Sequence, residues 1–463
     1  MKNYLFASFL TLLGCSTNTH IENRTISNTP DQNSTTAWID QAKEISQESV
    51  ESGYNAGIAL GIIDETGQQS IYTFGKMDVL KNKPITKSTI FEIGSITKVL
   101  TAELLAKFVV EGKLSLDDEV KKFIPSLSAS DAGRITLREL STHTSGLPRL
   151  ASNMNPKDPT NPYADYTLEQ MMSFFKNYKE IKTRPFSYSY SNLGFGLLGQ
   201  ILSDLNSKTY EVVLKKEILS SLNIPMTITL TRAQNMLFAT PYSLTAAKTS
   251  HWDIGIINGA GGLRATIQDL LDFAKTQLHP ESTTFQEAIL LSQQTHYKSK
   301  NMQMGLGWVI RDHSDGLIFS KDGGTGGFGS LILIQPKTGR ALAMISNSAN
   351  IVPCLINFFK KETCDVKKVY PMSVEKLKRL LGNFENEQGQ KINIILSENK
   401  KFIFGVIPNQ PTWVLKSESE TVFNFMDIDA SIVFPDGVEP INSFVLKQGG
   451  KDYIYKKVET LSN

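Results

Sequence analysis

Strand-like and helix-like runs are segregated along this chain, and that segregation limits the folds open to it. Ala56 to Ile63 and Ser70 to Phe74 read as a strand pair around Asp64-Glu65-Thr66-Gly67. Strand signals return at Gly305 to Ile310, Gly316 to Ser320, Gly329 to Ile334 and Ala341 to Ser346. Between them, about Leu114 to Leu278, lie helices and loops, with helical runs at Thr167 to Tyr178, Leu193 to Leu205, Tyr210 to Leu222 and Thr266 to Leu278. Trp38 to Glu51 reads as an amphipathic helix, and a run near Ile351 to Lys361 as a closing one. The economical solution is α+β: one antiparallel sheet formed by both chain ends, with flanking helices and a helical region beside it. A cleft is expected where the two parts meet.

From about Met372 the texture changes. A short helix (Val374 to Leu381) leads into strand runs at Ile392 to Leu396, Phe402 to Ile407, Thr412 to Lys416, Val422 to Met426, Ser431 to Phe434, Phe444 to Lys447 and Tyr453 to Lys456. Several alternate apolar and polar residues, as half-buried strands do. A small all-β barrel over 372–463 fits, following a main domain over 37–365.

The chemistry concentrates at Ser95-Ile96-Thr97-Lys98. A serine and a lysine three residues apart on a helix share one face, and an unassisted serine is a poor nucleophile. The pattern Ser-x-x-Lys is unspecific, occurring also at Ser173/Lys176, Ser373/Lys376 and Ser397/Lys400. Context separates Ser95 from the rest. It follows Phe91-Glu92-Ile93-Gly94 and precedes Val99, Leu100, Leu104, Leu105, Phe108 and Val109, spaced for a helix buried on one side. Ser173 lies inside a helical run, Ser373 reads as a helix N-cap, and Ser397 precedes a charged turn.

Two later motifs supply partners. Tyr190-Ser191-Asn192 sits before a helical run; a phenol beside a lysine ammonium loses its proton more readily and can relay it, and Asn192 can orient Lys98 or a substrate amide. A literal Lys-Thr-Gly at Lys337-Thr338-Gly339 joins two apolar runs and reads as a hairpin turn. Lys321-Asp322-Gly323 leads instead into Gly324-Thr325-Gly326-Gly327, where a substrate backbone can approach a strand closely, so Lys321 is the expected third element.

Lys+Arg number 48 and Asp+Glu 46, a formal charge of +2, and no basic patch stands out, which argues against nucleic acid as a partner. His20, His143, His251, His279, His296 and His313 lack zinc-site spacing, and Gly259-Ala260-Gly261-Gly262 reads as a tight turn, so no metal or cofactor is expected. Cys354 and Cys364 are compatible with a disulfide or with two buried thiols. At the N-terminus, Lys2, an apolar run from Tyr4 to Leu13, and Gly14-Cys15 resemble a bacterial lipoprotein processing site. That resemblance implies a signal peptide over 1–14, lipidation of Cys15, a polar tether over 15–36, and a periplasmic lipoprotein held at the cell envelope by its lipid.

Taken in order, these motifs resemble the class C β-lactamases and related penicillin-binding serine hydrolases, over roughly Trp38 to Lys361. Thr142-His143-Thr144-Ser145-Gly146-Leu147-Pro148, Gly261-Gly262-Leu263 and Gly305-Leu306-Gly307-Trp308 add to it. The tail is similar to the lipocalin-like barrel that follows this domain in many such hydrolases. The resemblance implies Ser95 as acylated nucleophile, Lys98 and Tyr190 as proton-transfer pair, and Asn192, Lys321, Gly323 and Gly324 as substrate-binding residues. The backbone N–H groups of Ser95 and Gly324 would form the oxyanion hole, with His143 and Ser145 structural. The expected substrates are β-lactams or D-alanyl peptides of the cell wall. Asp322 stands where the family usually has a hydroxyl residue. That departure keeps a D-specific aminopeptidase or esterase as an alternative, beside a penicillin-binding sensor that stays acylated.

Overall fold

Gly57–Ile63 forms a strand, β1, buried at all seven positions, and such a strand must lie inside its sheet with both faces covered. The computed structural model, which describes residues 37–179, 186–364, 369–408, 410, 412–426, 428–437 and 440–458, places it there. The expected signal peptide, the tether and Cys15 lie outside the described residues.

β1 pairs antiparallel with β2 (Gln69–Asp78) on one side, Ile58 opposite Phe74. After β2 come β3 (Lys83–Pro84) and β4 (Phe91–Glu92), the latter paired with β5 (Arg264–Ala265) in a separate two-stranded piece. The chain returns to the main sheet through β6 (Tyr297–Lys298), β7 (Gln303–Met304), β8 (Val309–Arg311), β9 (Ile318–Gly324), β10 (Gly329–Gln335) and β11 (Arg340–Ser346). Among the described residues the strand order is β3-β2-β1-β11-β10-β9-β8-β7-β6. Early and late strands meet at β1 and β11, Ile58 opposite Ser346, so the sheet is built from both ends of this part of the chain, as the segregated sequence predicts. Pro336–Thr338 and Gly339 (φ 71) make the β10–β11 turn, the structural place of the literal Lys-Thr-Gly.

Three expectations are corrected. Gly305 to Gly307 is not strand: Leu306 and Gly307 donate to the Ser292 and Ser141 carbonyls instead of a sheet neighbour, and Gly307 takes φ 76. A Cβ there would stand 3.0 Å from the Lys98 carbonyl, so this glycine lets the chain lie against the serine-bearing helix. Tyr210 to Leu222 is not one regular helix, because a π turn at Lys215–Leu219 divides it. The helix after Ser95, α1 (Thr97–Val110), is buried at every position from 97 to 106, not on one side only.

By internal contacts the described residues fall into two compact units. One comprises Asn55–Ser243 and Lys248–Ile351 and holds the sheet, α1, the helix Asn192–Leu205 and the helix Ile267–Leu278, which packs on β1 and β11. The other comprises the described parts of Met1–Tyr54, Leu244–Ala247 and Val352–Asn463. In it the helix Ala37–Glu51 packs on the helix Cys354–Phe359, with Trp38 edge-on to Phe359 at 5.8 Å, and Cys354 is disulfide-bonded to Cys364. Its C-terminal part is a closed antiparallel barrel of eight described strands, from Gly382–Asn386 (β12) to Lys451–Lys457 (β19). Seven of them follow the expected runs. The eighth, β12, is Gly-Asn-Phe-Glu-Asn, too poor in β-formers to read as a strand, and it closes the barrel by pairing Phe384 with Lys457. Rings of Phe384, Phe423, Phe434, Phe444 and Tyr455 fill the interior.

Candidate active site

Ser95 sits in a single 3-10 turn, Gly94–Ile96, that runs directly into α1. The turn is anchored from both sides. Ile93 N–H donates to the Leu263 carbonyl at 3.1 Å, and Ser330 Oγ donates to the Ile93 carbonyl at 2.8 Å. Gly94 takes φ 48, which a side chain would resist, and a Cβ on it would stand 2.8 Å from the Gly324 nitrogen.

Lys98 lies one turn on and is fully buried. Its Nζ stands 3.0 Å from Ser95 Oγ, 2.9 Å from Asn192 Oδ1 and 2.5 Å from the Ala260 carbonyl. Tyr190 Oη is 2.5 Å from Ser95 Oγ on the other side. Two stretches distant in sequence, 95–98 and the one carrying Tyr190, therefore meet at one hydroxyl. Ser191 accepts the Gly194 N–H at 2.9 Å and so starts the helix Asn192–Leu205, which aims Asn192 at Lys98; Asn192 Nδ2 donates to Tyr163 Oη at 3.1 Å.

The protonation pattern departs from the sequence expectation. Burial holds the Lys98 amine well below its ordinary value, and the Lys321 and Arg149 cations push the same way, with Asp322 opposing them. Burial drives the Tyr190 hydroxyl well above the ordinary phenol value, outweighing its hydrogen bond to Ser95 and the Arg149 charge. The phenol is thus not made acidic by an adjacent ammonium. Both shifts run toward a neutral amine beside a protonated phenol; Lys98 Nζ donates to Asn192 Oδ1 and to the Ala260 carbonyl, and Ser95 Oγ is its third polar neighbour. Either hydroxyl can donate in the Tyr190–Ser95 bond.

Lys321 is buried on β9 with Nζ 4.9 Å from the centre of the Tyr190 ring, and Arg149 stands 5.1 Å from it. Thr325 N–H donates to the Phe328 carbonyl at 2.9 Å, so Gly324, opposite Gly329, is the next, non-bonded pair of the ladder. That alternation turns the Gly324 N–H away from β10 and toward the turn carrying Ser95. Gly324, Ser95 and Asn192 line one cleft with Tyr163, Trp252 and Ile257. Gly323 is placed behind the wall: it is buried, and a Cβ on it would strike the Ile93 carbonyl and lie 3.0 Å from the Ser95 nitrogen. Its part is to let β9 lie against the nucleophile's turn.

His143 does not hydrogen-bond Ser95; its Nδ1 accepts the Ser191 N–H at 3.1 Å. The other Ser-x-x-Lys pairs are structural. Ser173 lies within the helix Leu168–Lys176, Ser373 caps a helix by accepting the Lys376 N–H, and Ser397 bonds Asn399 in a turn. Sequence reasoning missed Arg149, Tyr163, Trp252 and the Ala260 carbonyl. A backbone oxygen leaves no mark in composition; the glycines around Ala260 were the available signal, and Arg149 directly follows the Thr142–Pro148 motif.

A family model described as Beta-lactamase matches residues 42–353. A beta-lactamase of Escherichia coli (strain K12) is 26% identical over 328 residues, covering 63% of this chain and 84% of that protein. One of Pseudomonas fluorescens is 25% identical over 328 residues, covering 63% and 88%. Among solved structures, a class C beta-lactamase from Rhodobacter sphaeroides superposes with a TM-score of 0.62 at 21% identity, covering 69% of this chain and 98% of that one. Another class C beta-lactamase gives 0.64 at 23% identity, covering 71% and 96%. These structures share the fold of the matched part; the barrel lies beyond the family-matched segment.

Proposed function

This chain belongs to the Beta-lactamase family, and from that premise we propose that it is an envelope serine hydrolase that forms an acyl-enzyme on Ser95 and acts on β-lactams or D-alanyl peptides. One observation carries the reading: Ser95 Oγ stands within hydrogen-bonding distance of both Tyr190 Oη and Lys98 Nζ. The Lys98 lone pair takes the serine proton as Oγ attacks the substrate carbonyl carbon. The carbonyl π pair moves to oxygen, held by the Ser95 and Gly324 N–H groups. Collapse expels the amide nitrogen, which takes a proton from Tyr190, and the Lys98 ammonium restores that proton. Water then cleaves the ester, with Lys98 again the base. Lys321 anchors a substrate anion beside Tyr190. The names of the relatives support the substrate class; the envelope location is supported by the apolar run before Gly14-Cys15 and by the Cys354–Cys364 disulfide, which suits an oxidising compartment.

One residue favours a second reading. Asp322 lies between Lys321 and Gly323 on β9, and its charge acts on Lys98, Lys321 and Tyr190. A carboxylate there opposes a substrate carboxylate and favours an ester or a D-amino-acid amide.

Intact-mass spectrometry with a penicillin, followed over time beside D-Ala-D-Ala peptide turnover, tests this. The wild type should gain one penicilloyl mass and lose it within minutes, and Ser95→Ala should gain none while Ser173→Ala behaves as wild type. A persistent adduct marks a sensor. Turnover of esters or D-amino-acid amides without an adduct selects the second reading. An adduct on Ser95→Ala removes the assignment. Cys15→Ala should move the protein from the membrane fraction to the soluble one.

A further inference from the structure

One residue, His143, bonds the backbone on both sides of Tyr190, while the Pro148 carbonyl accepts from Ser191 Oγ and the Arg149 carbonyl from the Asn192 N–H. The His143 carbonyl accepts the Ser189 N–H at 2.8 Å, and His143 Nδ1 accepts the Ser191 N–H at 3.1 Å, one bond on each side of the tyrosine. The imidazole lies 4.4 Å from the Tyr190 ring and 5.0 Å from the Phe195 ring. Ser191 is also the cap of the helix whose first residue is Asn192, so the same grip reaches the side chain that orients Lys98.

His143 holds this place at two local costs. Its backbone lies in the left-handed region, φ 60, and its buried Nε2 has no hydrogen-bond partner among the described residues. Each is locally unfavourable. A position kept for packing alone would favour glycine, or an apolar side chain on a relaxed backbone. Nδ1 accepts the Ser191 N–H, and burial holds the imidazole well below its ordinary value, with the Lys321, Lys98 and Arg149 charges pushing the same way.

We propose that His143 is a positioning residue for the reaction: its Nδ1 and ring fix the Tyr190-Ser191-Asn192 segment so that Tyr190 Oη meets Ser95 Oγ and Asn192 Oδ1 meets Lys98 Nζ. This rests on the acyl-enzyme reading above. It separates His143 from proton transfer, since its acceptor nitrogen is occupied by a backbone N–H.

The test compares variants on one readout, the acylation rate constant and its saturation constant, measured with a penicillin and in parallel with a fluorophosphonate. His143→Asn keeps an acceptor at the place of Nδ1, and asparagine tolerates a left-handed backbone. His143→Phe keeps a ring and loses the acceptor. His143→Gly relieves the backbone and loses both, and it carries the comparison should the phenylalanine variant not fold. His143→Asn should acylate within about threefold of wild type. The Phe and Gly variants should slow by about a hundredfold or more with an unchanged saturation constant, as misplaced reacting groups do. Equal rates in all variants, equal loss in Asn and Gly, or a loss confined to the saturation constant overturns the proposal. A wild type that reacts with fluorophosphonate at Ser95 and ignores penicillin removes the substrate class while the His143 comparison stands on the fluorophosphonate rates. A Ser95 that reacts with neither overturns both.

Discussion

At the scale of single residues, burial decides which groups hold protons. Lys98 carries its amine below the ordinary 10.5, so the active form, with a free lone pair, is gained as pH rises. Acylation should therefore show an acid limb with its midpoint below 10.5. Lys98→Arg, which keeps its charge at every working pH, should lose roughly 10²–10⁴-fold in rate. Stopped-flow acylation across pH checks both. Glu103, on the same helix, is an acid the mechanism does not use. It is fully buried, and burial pushes it from 4.5 up to about 8, outweighing the opposing effect of the Gln277 side chain. The folded state therefore binds the extra proton, and the stability it confers is full below about 4.5 and declines as pH rises through about 8. Glu103→Gln should remove that slope, with little change at pH about 4 and a gain on the order of several kcal/mol at pH about 9. Urea midpoints at the two pH values measure it.

At the scale of elements, the site depends on β9 lying against the turn that carries Ser95. Gly323 makes that approach possible, since a methyl there would strike the Ile93 carbonyl and crowd the Ser95 nitrogen. Gly323→Ala should displace one oxyanion donor from the other and lower the acylation rate by roughly 10²–10³-fold, the usual loss for one donor. Noncovalent binding should change less, which a split between rate and saturation constants would show. This element was only partly legible in sequence. The strand and its glycines are visible in the sequence, and Gly324 lines the cleft. Whether Gly323 faces substrate or the nucleophile's own backbone is not visible there, because glycine has no side chain to betray a direction. Likewise the helix Thr97–Val110 looked amphipathic enough to bury one face, and only its neighbours show that it is enclosed through position 106.

At the scale of the whole molecule, the barrel and the sheet-bearing unit have separate cores. Phe444 packs on Phe384 at 4.9 Å and stacks on Tyr455 at 5.0 Å inside the barrel. Phe444→Ala should destabilise the barrel by about 3–5 kcal/mol. Calorimetry should show one transition lowered, and penicillin labelling of Ser95 below that transition should be unchanged. Loss of labelling would tie the barrel to the site. Seven of the barrel's strands are legible as short strand runs, several of them alternating. The eighth, Gly382–Asn386, is not, because its pairing with β19 and not its composition makes it a strand.

Local pattern determined most element types, the two-ended sheet and the choice of Ser95, Lys98 and Tyr190 as a set, since period, turn chemistry and residue type are written in the order of the letters. The tertiary structure alone decided that burial lowers Lys98 and raises Tyr190, that the Ala260 carbonyl accepts from Lys98, and that His143 bonds the backbone on both sides of Tyr190. Those outcomes depend on desolvation and on backbone atoms from distant segments, neither of which any residue's identity encodes.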